Sequence, residues 1–176
     1  MSSQFIHFEE YSLTRKGDKP DAIGVLKEAR REASHARHVI AAYKVRRIYG
    51  LTLQRVEVEL LHASQKLFNG RKLRKDARVL LAGVASYPIA FTDNEFCEDD
   101  FKRWIKSTAI FLKKKFGNNL KAIVSHEDEP PYGHIHFYCY DTSKMSVKAF
   151  HPGNIEEAKC VSNSGKANAY SDVLDR

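Results

Sequence analysis

The sequence predicts an α+β fold: a central antiparallel sheet with helices packed mainly on one face. Three observations predict it. Strand-like and helix-like segments follow one another as strand, helices, strand, helix, strand, strand. "LKAIVSH" (120–126) and "HIHFYCYD" (134–141) are β-branched and aromatic runs joined by a Pro-Pro turn, the pattern of an antiparallel hairpin. Between Glu95 and Gly117, Phe101, Trp104, Ile105, Thr108, Phe111, Leu112 and Phe116 recur at helical spacing, so one long amphipathic helix precedes that hairpin.

Taken in order, "QFIHFEEYSL" (4–13) reads as the first strand, with Phe5 and Phe8 apolar. "GDKPD" then turns the chain, and Asp21 is placed to cap a basic helix from Ala22 to about Ser34. A second helix spans 51–68, carried by Leu53, Val56, Leu60, Leu61, Ala63 and Leu67 and ended by Asn69-Gly70. "ARVLLAGVASYPI" (77–89) reads as a buried strand stopped near Pro88. The long helix has Glu95, Glu98, Asp99 and Asp100 at its start and Lys113, Lys114 and Lys115 at its end, an order that complements the helix dipole. Beyond Asp141 periodicity is lost. Residues 1–150 are therefore expected to form one catalytic-type domain, and 151–176 a C-terminal extension, truncated or partly disordered.

Composition narrows the function. The chain has 176 residues, 43% of them hydrophobic, enough for one domain with its own core. No apolar run approaches the roughly 18 residues that span a bilayer, and no basic-then-apolar signal pattern opens the chain, so no membrane partner is expected. Cys97, Cys139 and Cys160 form no CxxC pair, consistent with a reduced cytoplasmic setting. A formal net charge of +7 favours a polyanionic partner, nucleic acid first. The charge is local: Arg30, Arg31, Arg37, Lys44, Arg46 and Arg47 fall in one segment, interleaved with Tyr43 and Tyr49, and Arg71, Lys72, Arg74 and Lys75 in another. Basic residues among aromatics suit phosphates and unpaired bases.

The chemistry concentrates in "SHEDEPPYGHIHFYCYD" (125–141). In a strand, residues i and i+2 share a face, so His134 and His136 point the same way, and the hairpin brings His126 alongside them. Three imidazoles make a first shell for a divalent ion such as Mn, Zn, Co or Ni and leave open positions, as a catalytic metal requires. Asp128 and Glu129, in the connecting turn, are placed as a further ligand or as an acceptor that orients an imidazole. A metal flanked by Arg and Lys suits phosphodiester chemistry, attacked by water or by a side chain.

These residues resemble the third motif of HUH endonucleases, in particular MobV-type (Mob/Pre) plasmid mobilisation relaxases. That motif is a strand ending His-x-Asp-Glu, a turn with Pro, and His-x-His in the next strand; here it is His126, Asp128, Glu129, His134 and His136. "LRKDARVLLAGVASYP", "FGNNLKAIVSH" and "HPGNIEEAK…NAYSDVL" extend the likeness over most of 72–170, and it is specific only around 118–140. The resemblance implies a relaxase-like sheet bearing the histidines and Mn or Mg as the cellular metal. It implies strand-specific nicking of single-stranded or supercoiled origin DNA through a covalent 5′-phospho-protein intermediate, with other relaxosome proteins as possible company in a bacterial cytoplasm. By analogy, His126, His134 and His136 hold the metal, with Glu129 adjacent.

Two departures stand out. "PPYG" makes the turn one residue longer than the family's. The family's N-terminal His-Asn-x-Arg element corresponds to "KEARRE" (27–32), which has neither His nor Tyr. The attacking group is therefore open among His38, His35, Tyr43 and Tyr49, with His38 first and Tyr43 second. Two alternatives remain beside the relaxase: a DNA-binding module that keeps the metal site without cleaving, and a replication initiator or transposase of the same superfamily.

Overall fold

A computed structural model describes residues 5–36, 45–128 and 131–155. The elements are β1 (Phe5–Ser12), α1 (Ala22–Ala29), β2 (Arg46–Gly50), α2 (Leu53–Ser64), β3 (Arg78–Ser86), α3 (Glu98–Phe116), a short 3-10 turn (Gly117–Asn119), β4 (Leu120–His126) and β5 (His134–Cys139). The five strands form one sheet in the order β1-β3-β5-β4-β2, and every neighbouring pair is antiparallel. The expected hairpin, β4 and β5, thus lies at the centre of the sheet, with β5 as the middle strand.

Alternation along the central strands separates two cores. Ala122, Val124, Tyr138 and Leu80 pack with Ala22, Leu26, Val56 and Leu60 of α1 and α2. Ile123, Ile135, Phe137 and Leu81 pack with Phe101, Ile105, Leu112 and Phe116 of α3. Two α-helices therefore cover one face, and α3 covers the other. The α3 stripe is apolar toward the sheet, and its acidic first turn and lysine-rich last turn are as expected. Gly83, at the centre of β3, allows the Phe137 ring to lie against the backbone where any Cβ would collide with it.

The helix starts follow their caps. Asp21 Oδ1 accepts from the Gly24 N–H at 2.7 Å, and the Thr52 hydroxyl accepts from the Arg55 N–H at 3.2 Å. Two elements differ from expectation. α1 ends at Ala29 rather than near Ser34, because Arg31 takes a left-handed φ of 61° and breaks the helical path. β2 is an additional edge strand inside the segment read only as a basic patch. It is short, has a register shift between Arg47 and Tyr49, and exposes both arginines, so it carries no clean alternation. After β5, residues 152–155 begin a helical turn. No helix among the described residues is long and apolar enough to cross a membrane.

Candidate functional site

The β4–β5 register places His126 directly opposite His134, and His136 opposite Val124. Residues paired across an antiparallel ladder share a face, so all three histidines stand on the α1 side of the sheet. The His126 and His136 rings lie 4.3 Å apart between centroids, tilted by 41°. His126 is buried, and its Nε2–H donates to the Ala29 carbonyl oxygen at 2.9 Å. A carbonyl can only accept, so the proton sits on Nε2 and Nδ1 is the lone-pair nitrogen. His134 Nδ1 meets the Ser86 hydroxyl at 2.8 Å, since Ser86 is its partner on β3. Each of these contacts fixes the orientation of its ring.

His136 differs. Its Nε2 is buried and has no hydrogen-bond partner among the described residues. Burial, reinforced by the neighbouring His126 and His134, holds its pKa well below the ordinary 6.5. The ring is therefore neutral at pH 7, the form in which imidazole ligates metal. A buried nitrogen with no partner is costly unless something meets it. Three imidazoles on one face, with the neutral His136 ring keeping an unmet Nε2, fit a borderline divalent ion. They do not converge on one point: among the described residues no group of three or more metal-ligating side chains stands at holding distance.

A cavity of about 360 Å³ opens over this face between the sheet and α1. Glu9, Tyr11, Glu28, Arg31, His126 and His136 help line it. The Tyr11 hydroxyl donates to Glu9 at 3.0 Å, which, with burial of the phenol, raises the Tyr11 pKa. His7, on β1, shares the register position of His136 across Val84 and faces Glu9 at 3.7 Å. In sequence His7 stands apart from the histidine cluster, and Glu9 and Tyr11 carry no motif; the β1–β3 pairing brings all three to this cavity.

Arg31 and Asp128 close one side. Arg31 Nε and Nη2 donate to Asp128 Oδ2 and Oδ1 at 2.8 and 2.5 Å, with the side chains 5% and 2% exposed. Burial pushes the Asp128 carboxyl up, but the Arg31 hydrogen bonds and charge outweigh it and hold its pKa below the ordinary 3.8. This pair ties the end of α1 to the turn that follows His126.

The remaining sequence-derived residues separate into groups. Arg30 is spent on Glu57 and Glu32, and Arg31 on Asp128, so the guanidinium groups of both are buried in ion pairs. Arg46 and Arg47 are exposed on β2 beside the histidine end of the sheet, since Arg46 pairs with Ser125. Arg71, Lys72, Arg74 and Lys75 are exposed, with Arg74 on Asp76. They precede the far end of β3, whose other end, Ser86, pairs with His134; strand rise sets that end about 25 Å from the histidines. Tyr49 pairs with Ile123 and lies under Lys113 of α3, on the face opposite the histidines. His35 is exposed beside Ser34 after α1. His38, Tyr43, Glu129, Arg37 and Lys44 lie outside the described residues.

No protein-family model matches the chain, and no curated protein matches it. Solved structures do. A MobM relaxase domain (MOBV; Mob_Pre) bound to 26-nucleotide pMV158 oriT DNA aligns at TM-score 0.57 and 13% identity, over 92% of this chain and 82% of that one. A Mn-bound complex of the same domain with pMV158 oriT DNA at pH 6.8 aligns at TM-score 0.60 and 15% identity, over 91% and 81%. Another, at pH 4.6, aligns at 0.58 and 15%, over 93% and 88%. The chain has the α+β fold of a MobV-type relaxase domain.

Proposed function

We propose that this domain nicks one strand of origin DNA by metal-assisted transesterification, as a relaxase acting on a plasmid or other mobile element in the bacterial cytoplasm. The observation that carries the reading is the histidine face. His126, His134 and His136 share one side of the central hairpin, His126 and His136 line the cavity, and the buried Nε2 of His136 has no hydrogen-bond partner among the described residues. The likeness in fold to a relaxase domain solved with manganese and oriT DNA supports it.

The three histidines would hold the ion, with Glu129 as an adjacent carboxylate. A divalent metal held there, manganese or magnesium by preference, would supply polarisation of the scissile phosphate and stabilisation of the charge that develops on it. The Ala29 carbonyl and the Ser86 hydroxyl hold the rings of His126 and His134 in place. The Arg31–Asp128 pair positions the turn that carries Glu129 relative to α1. The nucleophile in this reading is His38 first and Tyr43 second, both in the basic segment after α1. Its side chain attacks phosphorus, the bond to the 3′ oxygen breaks, and the chain keeps the 5′ phosphate while a 3′ hydroxyl is freed.

The test is a denaturing gel of the protein incubated with Mn²⁺ and labelled single strands from the mobile element's transfer region. A band shifted by the mass of the protein and lost in His38→Ala or Tyr43→Phe supports the reading. Cleavage without an adduct assigns attack to water. Binding without cleavage assigns the chain to the non-cleaving DNA-binding modules.

A further inference from the structure

On the opposite face of the sheet, at the same end, lies a second cavity of about 380 Å³. Its apolar floor is Phe91, Phe96, Phe101 and Ile105, and its polar rim is Arg46, Glu98, Lys102 and Glu127. The phenylalanines meet edge to face: Phe91–Phe96 at 5.2 Å and Phe91–Phe101 at 5.5 Å between centroids. Phe91 and Phe96 are only half-buried, so ring surface is left open to the cavity. At this size the cavity is at the small end of ligand pockets, suited to one flat ring system rather than a peptide segment.

The cavity is joined to the histidine site at two points. Glu127 directly follows His126, and Gly133 directly precedes His134. The Phe91 N–H donates to the Pro131 carbonyl at 2.8 Å, and the Tyr87 N–H to the Gly133 carbonyl at 2.9 Å. Gly133 packs so closely on this floor that a Cβ there would lie 2.5 Å from the Phe101 ring and 2.8 Å from Phe91. Pro131 and Gly133 therefore tie the segment before β5 to the aromatic floor, and the two cavities lie on opposite faces of one sheet end.

The rim divides its work. Lys102 is held by Glu98 at 2.7 Å. Arg46, on the edge strand, is exposed and close enough to Lys102 for their like charges to oppose each other. Lys102 is also met by Asp99 at 3.8 Å, so Arg46 is the rim cation set to meet a phosphate beside a base stacked on the aromatic cleft. Glu127 accepts from the Ser125 hydroxyl at 3.2 Å on this same side, which orients its carboxylate at the rim. A carboxylate at that position accepts from the exocyclic amino group of a base such as cytosine.

We infer that this pocket takes one unpaired nucleobase of the strand delivered to the histidine site, stacked on Phe91 and Phe96, with Arg46 on a flanking phosphate and Glu127 on the base edge. The inference rests on the nicking reading and supplies what it lacks, a place where the DNA strand is gripped by a base. The flanking nucleotide then crosses the sheet end within a residue of His126 and His134.

The experiment measures equilibrium binding of the whole chain to fluorescent (dC)20 and to a 20-mer of abasic deoxyribose phosphate, without metal. Phe96→Ala is expected to weaken (dC)20 about tenfold and to leave the abasic strand within about twofold of wild type. Phe96→Leu keeps the apolar fill but removes the ring, and is expected to show the same selective loss; it decides the matter if the alanine variant does not fold. Glu127→Ala is expected to erase a preference for (dC)20 over (dT)20. Equal affinity of wild type and Phe96→Leu for (dC)20, or equal losses on both strands, overturns the pocket alone. Failure of the wild type to bind either strand overturns the pocket together with the nicking reading.

Discussion

Replacing Asp128 with alanine removes one half of a buried, bidentate ion pair and leaves the other half in place. Arg31 keeps its charge with a side chain only 5% exposed, at a left-handed φ of 61°, and has lost both Asp128 acceptors, at 2.8 and 2.5 Å. Removing one partner of such a pair costs about 3–5 kcal/mol, because the buried charge that remains loses two charge-assisted hydrogen bonds. For a chain of 176 residues that is roughly 6–20 °C in Tm. The double variant Arg31→Ala/Asp128→Ala removes both charges, so it should lose less than the sum of the single variants. Arg31→Gly should recover about 1 kcal/mol relative to Arg31→Ala, because glycine accepts the left-handed backbone. The assay is urea unfolding followed by circular dichroism at pH 7, with the m-value checked for constancy. The pH dependence carries a definite sign. The folded-state pKa of Asp128 is lowered, so the pair's stabilisation is present above its ordinary value of 3.8 and lost as pH falls through the folded-state value. Wild type and Asp128→Ala should thus converge only in strong acid. An Asp128→Ala protein within about 0.5 kcal/mol of wild type at pH 7, or strictly additive single variants, would refute the role given to this pair.

Further outcomes follow from the same geometry. Ser86→Ala, which removes the contact to His134 Nδ1 at 2.8 Å, should weaken Mn²⁺ binding roughly 10–100-fold by paramagnetic resonance titration, while His136→Ala should abolish it. His136 stays neutral in the fold below its ordinary 6.5, so the metal-free protein should lose stability as pH drops beneath about 6.5, where the unfolded chain takes up the proton; His136→Phe should flatten that slope in a denaturation series. Arg30→Ala should cost stability and leave DNA affinity nearly unchanged, because Arg30 is engaged by Glu32 and Glu57. The exposed Arg47→Ala should do the reverse, lowering the salt slope of single-strand binding by about one.

Much of the architecture was legible because the core strands and α3 write their periods plainly. "LKAIVSH" occupies β4 as read, β5 takes the first six residues of "HIHFYCYD", and their pairing puts the three histidines on one face, which i, i+2 spacing and a hairpin already require. What escaped was non-local. β2 exists because it completes the edge of β4; within its own five residues, two exposed arginines hide the strand signal. Arg31 looked like a phosphate contact, since charge is visible in sequence and its partner, 97 residues away, is not. Tyr49 is separated from the histidines by the sheet itself, a matter of register that no single strand reveals. The long turn "PPYG" stood out as an irregularity. Packed on Phe91 and Phe101 through Gly133, it is the link between the two faces of the sheet end.

The central claim is that the histidine face drives strand transfer to the protein. The most direct measurement incubates supercoiled plasmid bearing the element's own transfer region with Mn²⁺ and either wild type or His136→Ala. Products are resolved before and after protease treatment. Open-circular plasmid with protein bound to one 5′ end is expected with the wild type, and unchanged supercoils with the variant. Supercoils untouched by the folded, metal-loaded wild type, or equal nicking by both proteins, would contradict it.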